Sequence, residues 1–372
     1  MKAALVILHT DPRRGGAERY TVDLARVLAA RGHDVTLLAS DAESPAIEGV
    51  HYIAMDAHGW TRTMRYRQFI SSVETHFKTN AYDIVHAMLP VRRCDVYHPH
   101  AGIAAASLLR ANAMFNPRRR AMADVERQLL TGEKPPITLC LSKYNEANLR
   151  RYFTDAPTAM LFNAVDLSKF DPANRPDAGK TIREKFAIAE GDVVALMIAQ
   201  DFERKGLRQA IQALASIDNP RLRLIVVGKE PTKKYEKLAT RLGVSSRVTF
   251  AGSTDDPYAF YQAADFFILP TRHDPCSLVV LEALAMGLPV ISTAFNGATE
   301  IMHNGEHGFV LTDPADVPAI ARSISLLLDD TSRAAMRDAC MTLRPKLAYE
   351  SHVDKLEKIW GEAKGRNSSA NG

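Results

Sequence analysis

Ten short apolar-rich runs, each followed by a longer stretch with helical spacing, constrain this chain more than any other feature. In the first half they fall at residues 3–8, 34–39, 51–54, 84–87 and 138–142. In the second they fall at 193–199, 222–227, 247–251, 266–270 and 290–292. Continuous Val/Ile/Leu runs, unlike alternating ones, suit parallel strands covered by helices on both faces. Their alternation with helical stretches predicts doubly wound α/β units.

A chain of 372 residues is long for one core and comfortable for two. The stretch 171–177, Asp-Pro-Ala-Asn-Arg-Pro-Asp, carries two prolines among polar residues and reads as a connector. The expectation is therefore α/β, with two Rossmann-like parallel-sheet domains facing each other across a cleft. Residues 1–165 form the first domain, with a helix at 347–362 packing back on it. Residues 166–346 form the second, and the polar end 365–372 is expected to be disordered.

Composition excludes several classes. The content is 46% hydrophobic and 24% charged, that of a globular protein, and the net charge of +4 demands no nucleic-acid partner. Cys94, Cys140, Cys276 and Cys340 are scattered, without zinc spacing or a disulfide pattern, so no metal is expected and a reducing compartment fits. The first apolar run is short and is followed by Asp11, Arg13 and Arg14, as a buried strand would be and a signal peptide would not. No apolar run reaches the roughly 18 residues of a membrane span. A cytoplasmic protein is expected.

Five constellations sit where such folds bind ligands, in loops at strand carboxyl ends. Gly15 and Gly16 open a helix after the first run, where backbone N–H groups can approach a ligand oxygen or merely make a tight turn. No G-x-G-x-x-G occurs. Arg204 and Lys205 follow the first run of the second half; they can neutralise a diphosphate or be solvated helix-start residues. In His273-Asp274-Pro275-Cys276-Ser277-Leu278, Asp274 suits an N-cap and Pro275 a first helical turn. The N–H groups of Cys276 and Ser277 would then point outward. Glu282 follows on the same predicted helix among apolar neighbours, where a lone carboxylate is costly without partners. Both acids can bind vicinal hydroxyls, or serve as a cap and a satisfied polar group. Asn296-Gly297 and Glu300 form a later turn, and His98-Pro99-His100 a loop in the first half.

On these residues the chain resembles the retaining glycosyltransferases of family four, which have the GT-B fold. The family pattern of two glutamates eight positions apart, an alanine-rich helix and Gly-x-Pro-Val-Ile is met by Glu282 through Ile291, with Asp274 in place of the first glutamate. The string Asp201-Phe-Glu-Arg-Lys-Gly, with Asp95-Val-Tyr, is similar to the lipopolysaccharide-core α-glucosyltransferase subgroup. The resemblance implies that Glu282 grips the ribose, that Asp274 holds sugar hydroxyls and that His100 lies by the transferred sugar. It implies too that Gly15, Gly16, Cys276, Ser277, Leu278, Asn296, Gly297 and Glu300 surround the donor, that residues 1–165 form the acceptor domain and that 166–346 form the nucleotide-sugar donor domain. Many members carry an arginine where Ala199 stands, so the diphosphate would rest on Arg204 and Lys205.

The implied function is metal-independent, cofactor-free transfer of a hexose, glucose by subgroup, from a UDP-sugar to a glycan or glycolipid of the lipopolysaccharide-core kind. The alternatives are an epimerase-like enzyme and a non-catalytic nucleotide-sugar-binding protein. Residues 101–130, with Leu108, Leu109, Met114 and Phe115 beside Arg110 and Arg118 to Arg120, read equally as a surface for anionic membrane or as a solvated helix with a basic end. At this level, Lys205→Ala is expected to reduce turnover far more than stability.

Overall fold

The computed structural model describes residues 1–41, 47–100, 102–108 and 116–369. The chain divides into two compact units, Met1–Asn163 with Tyr349–Gly372, and Ala164–Ala348.

The first unit holds seven parallel strands: β1 (Lys2–Val6), β2 (Asp34–Ala39), β3 (Val50–Ala54), β4 (Ile84–Ala87), β5 (Val96–Tyr97), β6 (Ile137–Cys140) and β7 (Thr158–Met160). Their order is β3-β2-β1-β4-β5-β6-β7. The second unit holds β8 (Val193–Ile198), β9 (Leu222–Val227), β10 (Val248–Gly252), β11 (Phe266–Leu269), β12 (Val290–Thr293) and β13 (Gly308–Leu311), in the order β10-β9-β8-β11-β12-β13. The central strands are largely apolar because helices cover both faces; Ala3 to Val6 and Phe266 to Leu269 are buried without a break. In each sheet the order reverses once, between β1 and β4 and between β8 and β11. Crevices at carboxyl ends beside such reversals are where open α/β sheets bind ligands.

Three strands lie outside the apolar runs. β5 has two residues and β7 three half-buried ones, too few to register as a periodic pattern. β13 opens on Gly308, which has φ +125° and whose Cβ would fall 2.1 Å from the Val290 carbonyl oxygen. A weak strand former is required there by close approach, which hides the strand from composition.

Two boundary expectations need correction. The stretch 171–177 is not the connector; the units divide at Asn163/Ala164. That stretch belongs to the second unit, where Tyr258 donates to the Asp171 carbonyl (2.7 Å), Gln262 to that of Pro172 (2.6 Å), and Arg175 pairs with Asp256 (2.8 Å). Its prolines shape a pinned loop before the helix Ala178–Lys185. The terminal helix spans Tyr349–Ser369, so the polar end is helical through Ser369, and 370–372 lie outside the described residues. The buried stripe Val353, Leu356, Trp360 and Ala363 nucleates this helix, and propagation carries it into polar sequence.

Within the first unit, Glu126 on the helix Pro117–Thr131 fastens the loop beyond β5. Its carboxylate is buried and accepts from the Tyr97 hydroxyl (2.7 Å) and from the N–H groups of Ala104 (2.9 Å) and Ala105 (2.8 Å). Burial pushes its pKa up, against the pull of those three donors. Glu126→Ala strands all three donors in the interior at roughly 1–3 kcal/mol each. Urea unfolding should read a loss of at least about 3 kcal/mol, and a loss below about 1 kcal/mol would contradict the clamp.

Candidate active site

In the second unit the loops after β8 and β11 meet at the strand-order reversal. Gly206 lets them meet. Its φ is +83°, and an added Cβ would lie 2.3 Å from the Pro270 carbonyl oxygen, so only glycine lets the β8 loop turn tightly past β11. Gly206 also caps the helix Leu207–Ala215. The carbonyl of Arg204 accepts the Arg272 N–H (2.9 Å), tying the two loops together.

Arg204 and Lys205 are fixed by this turn. Arg204 donates its N–H (3.1 Å) and Nε–H (3.0 Å) to Asp201, and a terminal N–H to the His273 carbonyl (2.6 Å). Burial raises the Asp201 pKa, but the Arg204 amide and guanidinium outweigh it, so the carboxyl lies below its ordinary value. Lys205 is only 8% exposed, and its Nζ contacts Asp274 Oδ2. Burial pushes the Lys205 ammonium below the usual lysine value; Asp274 pulls it back up and Arg204 pushes it further down. Lys205 is therefore not a solvated helix-start residue.

Asp274 is not an N-cap. The helix starts at Leu278, with Ser277 at the cap position. At Asp274 the chain is still extended: its N–H donates to the Phe295 carbonyl (2.8 Å), and its own carbonyl accepts from Gly297 (3.0 Å). The carboxylate is held by Lys205, with Arg204 at 4.0 Å. The outward N–H expected at Ser277 is also taken, by Asn296 Oδ1 at 3.2 Å. Asn296 is fully buried, caps the turn Gly297–Ile301 through the Ala298 N–H (3.1 Å), and is oriented by Ser292 (3.1 Å). Cys276 is buried, Leu278 half-buried and Glu300 exposed on that turn.

Glu282 lies within the helix Leu278–Ala285 at 3% exposure. The partner its burial requires is the Tyr261 hydroxyl, which donates to Oε2 at 2.7 Å. Tyr261 and Asp201 are the residues that sequence reasoning left out. Asp201 adjoins Arg204 and was legible as a local partner. Tyr261 sits on a separate helix, Tyr258–Ala263, and no spacing points to it.

In the first unit, Gly15 and Gly16 begin the helix Gly16–Ala30 after β1. His100 follows β5 inside a ring cluster, its centroid 4.1 Å from Tyr20 and 4.2 Å from His98. His86 and His98 pair at 3.2 Å. His352 donates from Nδ1 to the Phe162 carbonyl (2.7 Å), leaving Nε2 to accept from Tyr20 (2.6 Å). Burial drives His86 and His100 down to about 3 and His352 to about 4. All three are neutral at pH 7, so His100 offers a hydrogen bond and not a charge. Among the described residues no group of three His, Cys, Asp or Glu is placed to hold a metal ion.

Two Rossmann-like units, one with a fixed pair of cations at its strand-order reversal, define a glycosyltransferase of the GT-B kind. The chain belongs to glycosyltransferase family four. The family described as Glycosyltransferase Family 4 matches residues 14–169, and Glycosyl transferases group 1 matches 179–340. The lipopolysaccharide glucosyltransferase WaaG of Escherichia coli (strain K12) is 28% identical over 310 residues, 81% of this chain and 82% of that protein. The lipopolysaccharide core biosynthesis glycosyltransferase LpsE of Rhizobium meliloti (strain 1021) is 29% identical over 367 residues, 94% and 93% of the two chains. A GDP-mannose-dependent phosphatidylinositol monomannoside mannosyltransferase of Mycobacterium tuberculosis (strain CDC 1551 / Oshkosh) is 28% identical, covering 91% and 92%. The fold matches the crystal structure of WaaG with a TM-score of 0.82 at 24% identity, over 94% of this chain and 98% of that one. It also matches Anabaena HepE in complex with UDP-glucose, at 0.77 and 19%, over 97% and 100%.

The Lys205–Asp274 pair corrects the expected outcome of Lys205→Ala. That variant leaves Asp274 buried without its cation, a loss of about 3–5 kcal/mol, so stability falls together with turnover. Lys205→Met with Asp274→Leu removes both charges and should unfold within about 1 kcal/mol of the parent; a double variant as unstable as the single one would contradict the pairing.

The histidine cluster makes the first unit acid-sensitive. The folded pKa values lie below the ordinary 6.5, so the stabilisation is whole above that pH. It is lost as pH falls through 6.5 toward the folded values, at about 1.4 kcal/mol per pH unit for each histidine. Urea unfolding near pH 5 should lie several kcal/mol below pH 7, with His86→Asn flattening the slope; a pH-independent midpoint would contradict the burial.

Proposed function

We propose that the protein transfers a hexose, glucose by its lipopolysaccharide-core relatives, from a UDP-sugar to a glycolipid acceptor of that kind, with retention of configuration and without a metal. The carrying observation is the cation pair at the second unit's strand-order reversal, each cation oriented by its own carboxylate. The donor's anomeric C–O bond breaks and leaves its electrons on the diphosphate. Arg204 and Lys205 neutralise that charge, the acceptor hydroxyl oxygen bonds to the anomeric carbon, and its proton passes to the leaving phosphate. Retention is implied by the family pattern.

In this reading Glu282 takes the ribose hydroxyls opposite its bond to Tyr261, and Asp274 positions Lys205 while offering its second oxygen to the sugar. The Ser277–Asn296 corner, with Cys276, Leu278, Gly297 and Glu300, encloses the donor. In the first unit, Gly15, Gly16 and neutral His100 serve by hydrogen bonding. A peripheral place on the cytoplasmic face of an anionic membrane, through residues 101–130, fits a lipid-borne acceptor. Of the residues that motivate that surface, Leu109, Arg110, Met114 and Phe115 lie outside the described ones. No helix among the described residues is long and apolar enough to cross a membrane.

A thermal-shift panel of UDP-, GDP-, ADP- and dTDP-sugars tests the donor, since a bound ligand stabilises by mass action. UDP-glucose should raise the melting temperature most. A larger rise with GDP-mannose would move the donor to that of the mannosyltransferase relative, and no rise with any donor would overturn the reading. Arg204 is half-exposed, so Arg204→Ala should fold normally and lose about 10²–10³ in kcat.

A further inference from the structure

The first unit contains a cavity of about 810 Å³ that the donor chemistry leaves unused. Arg62, Arg118 and Arg119 line it, and no described Asp or Glu does. None of the three arginines makes an ion pair among the described residues. Arg118 Nε is enclosed with no hydrogen-bond partner among them. Burial lowers the Arg118 pKa, and the charges of Arg62, Arg14 and Arg65 lower it further. Like charges thus converge on a half-open cavity with no acid among its described lining residues.

The backbone adds to the same field. The helices Arg62–Thr79 and Pro117–Thr131 both start at this cavity, and neither has an acid in its first turn. Arginines in a first turn oppose the helix dipole, where carboxylates are favoured. Two helix starts that both reverse the favourable pattern, at one cavity, leave a positive potential that an anion offsets. A planar guanidinium with a free edge suits phosphate oxygens. Tyr97, on the cavity wall, is held by its hydroxyl's hydrogen bond to Glu126 (2.7 Å).

We propose that this cavity is an acceptor subsite for a phosphate group, so that the acceptor glycolipid is recognised by a phosphomonoester on its sugar or by its lipid phosphate. The assignment rests on reading the first unit as the acceptor-binding unit. Arg62 and Arg118 grip the phosphate oxygens, and Arg119 screens the mouth of the site.

Titration with glucose 6-phosphate and flotation with phosphatidylglycerol against phosphatidylcholine vesicles test it, comparing the parent with R62A/R118A and with Arg127→Ala, on the exposed far side of the same helix. The parent should bind glucose 6-phosphate, R62A/R118A should bind it about tenfold or more weakly, and Arg127→Ala should match the parent. Should only the anionic vesicles respond to R62A/R118A, the phosphate is the lipid's, and the subsite stands. Because the arginines oppose the helix dipole, the double variant should melt at or above the parent temperature, so weakened binding cannot be attributed to unfolding. Equal binding of both probes by parent and R62A/R118A overturns the proposal. A shift with UDP-glucose in that variant shows the donor reading intact; its absence in both proteins is a failure of the donor reading instead.

Discussion

The second unit depends on one interaction, the buried contact between Lys205 and Asp274. Two charges taken out of water are costly, and attraction at short range offsets this only when each is further held. Here the holding is thorough. Gly206 turns the lysine's loop against Pro270, and Asp274 is bridged to Asn296, which in turn occupies the Ser277 N–H and caps the following turn. The pair therefore links the loops after β8, β11 and β12. An incoming diphosphate would meet an ammonium already desolvated and aimed, so little reorganisation remains for the reaction itself.

The two units share a parallel-sheet plan and handle charge in opposite ways. The second gives the cations at its strand-order reversal carboxylate partners, Asp201 for Arg204 and Asp274 for Lys205. The first buries neutral histidines around Tyr20 and leaves the arginines at its cavity without ion-pair partners among the described residues. Paired cations are fixed and suit a leaving group whose position must be exact in the transition state. Unpaired ones store a potential that a stable anionic substrate can relieve.

Much of the frame was legible from sequence because strands covered on both faces are apolar at nearly every position, as in residues 193–198. Strands of two or three residues, such as Val96–Tyr97, fall below any pattern. At the site, residue types were legible and their partners were not. Glu282 among apolar neighbours signalled a need for a partner, yet Tyr261 comes from a separate helix. Asp274 before a proline looked like a cap because capping is a local rule; its pairing with Lys205 spans 69 positions and arises only in the folded chain. The basic run at 118–120 was visible as charge, but a run of charge does not disclose a cavity.

The central claim is that Lys205, held by Asp274, binds the donor's diphosphate. Calorimetric titration of UDP into the parent and into the charge-free double variant, Lys205→Met with Asp274→Leu, tests it with folding held constant. The account predicts a variant with near-parental melting and UDP affinity weaker by about 100-fold, the worth of one or two charge-assisted hydrogen bonds. Equal UDP affinity in a folded double variant would contradict it.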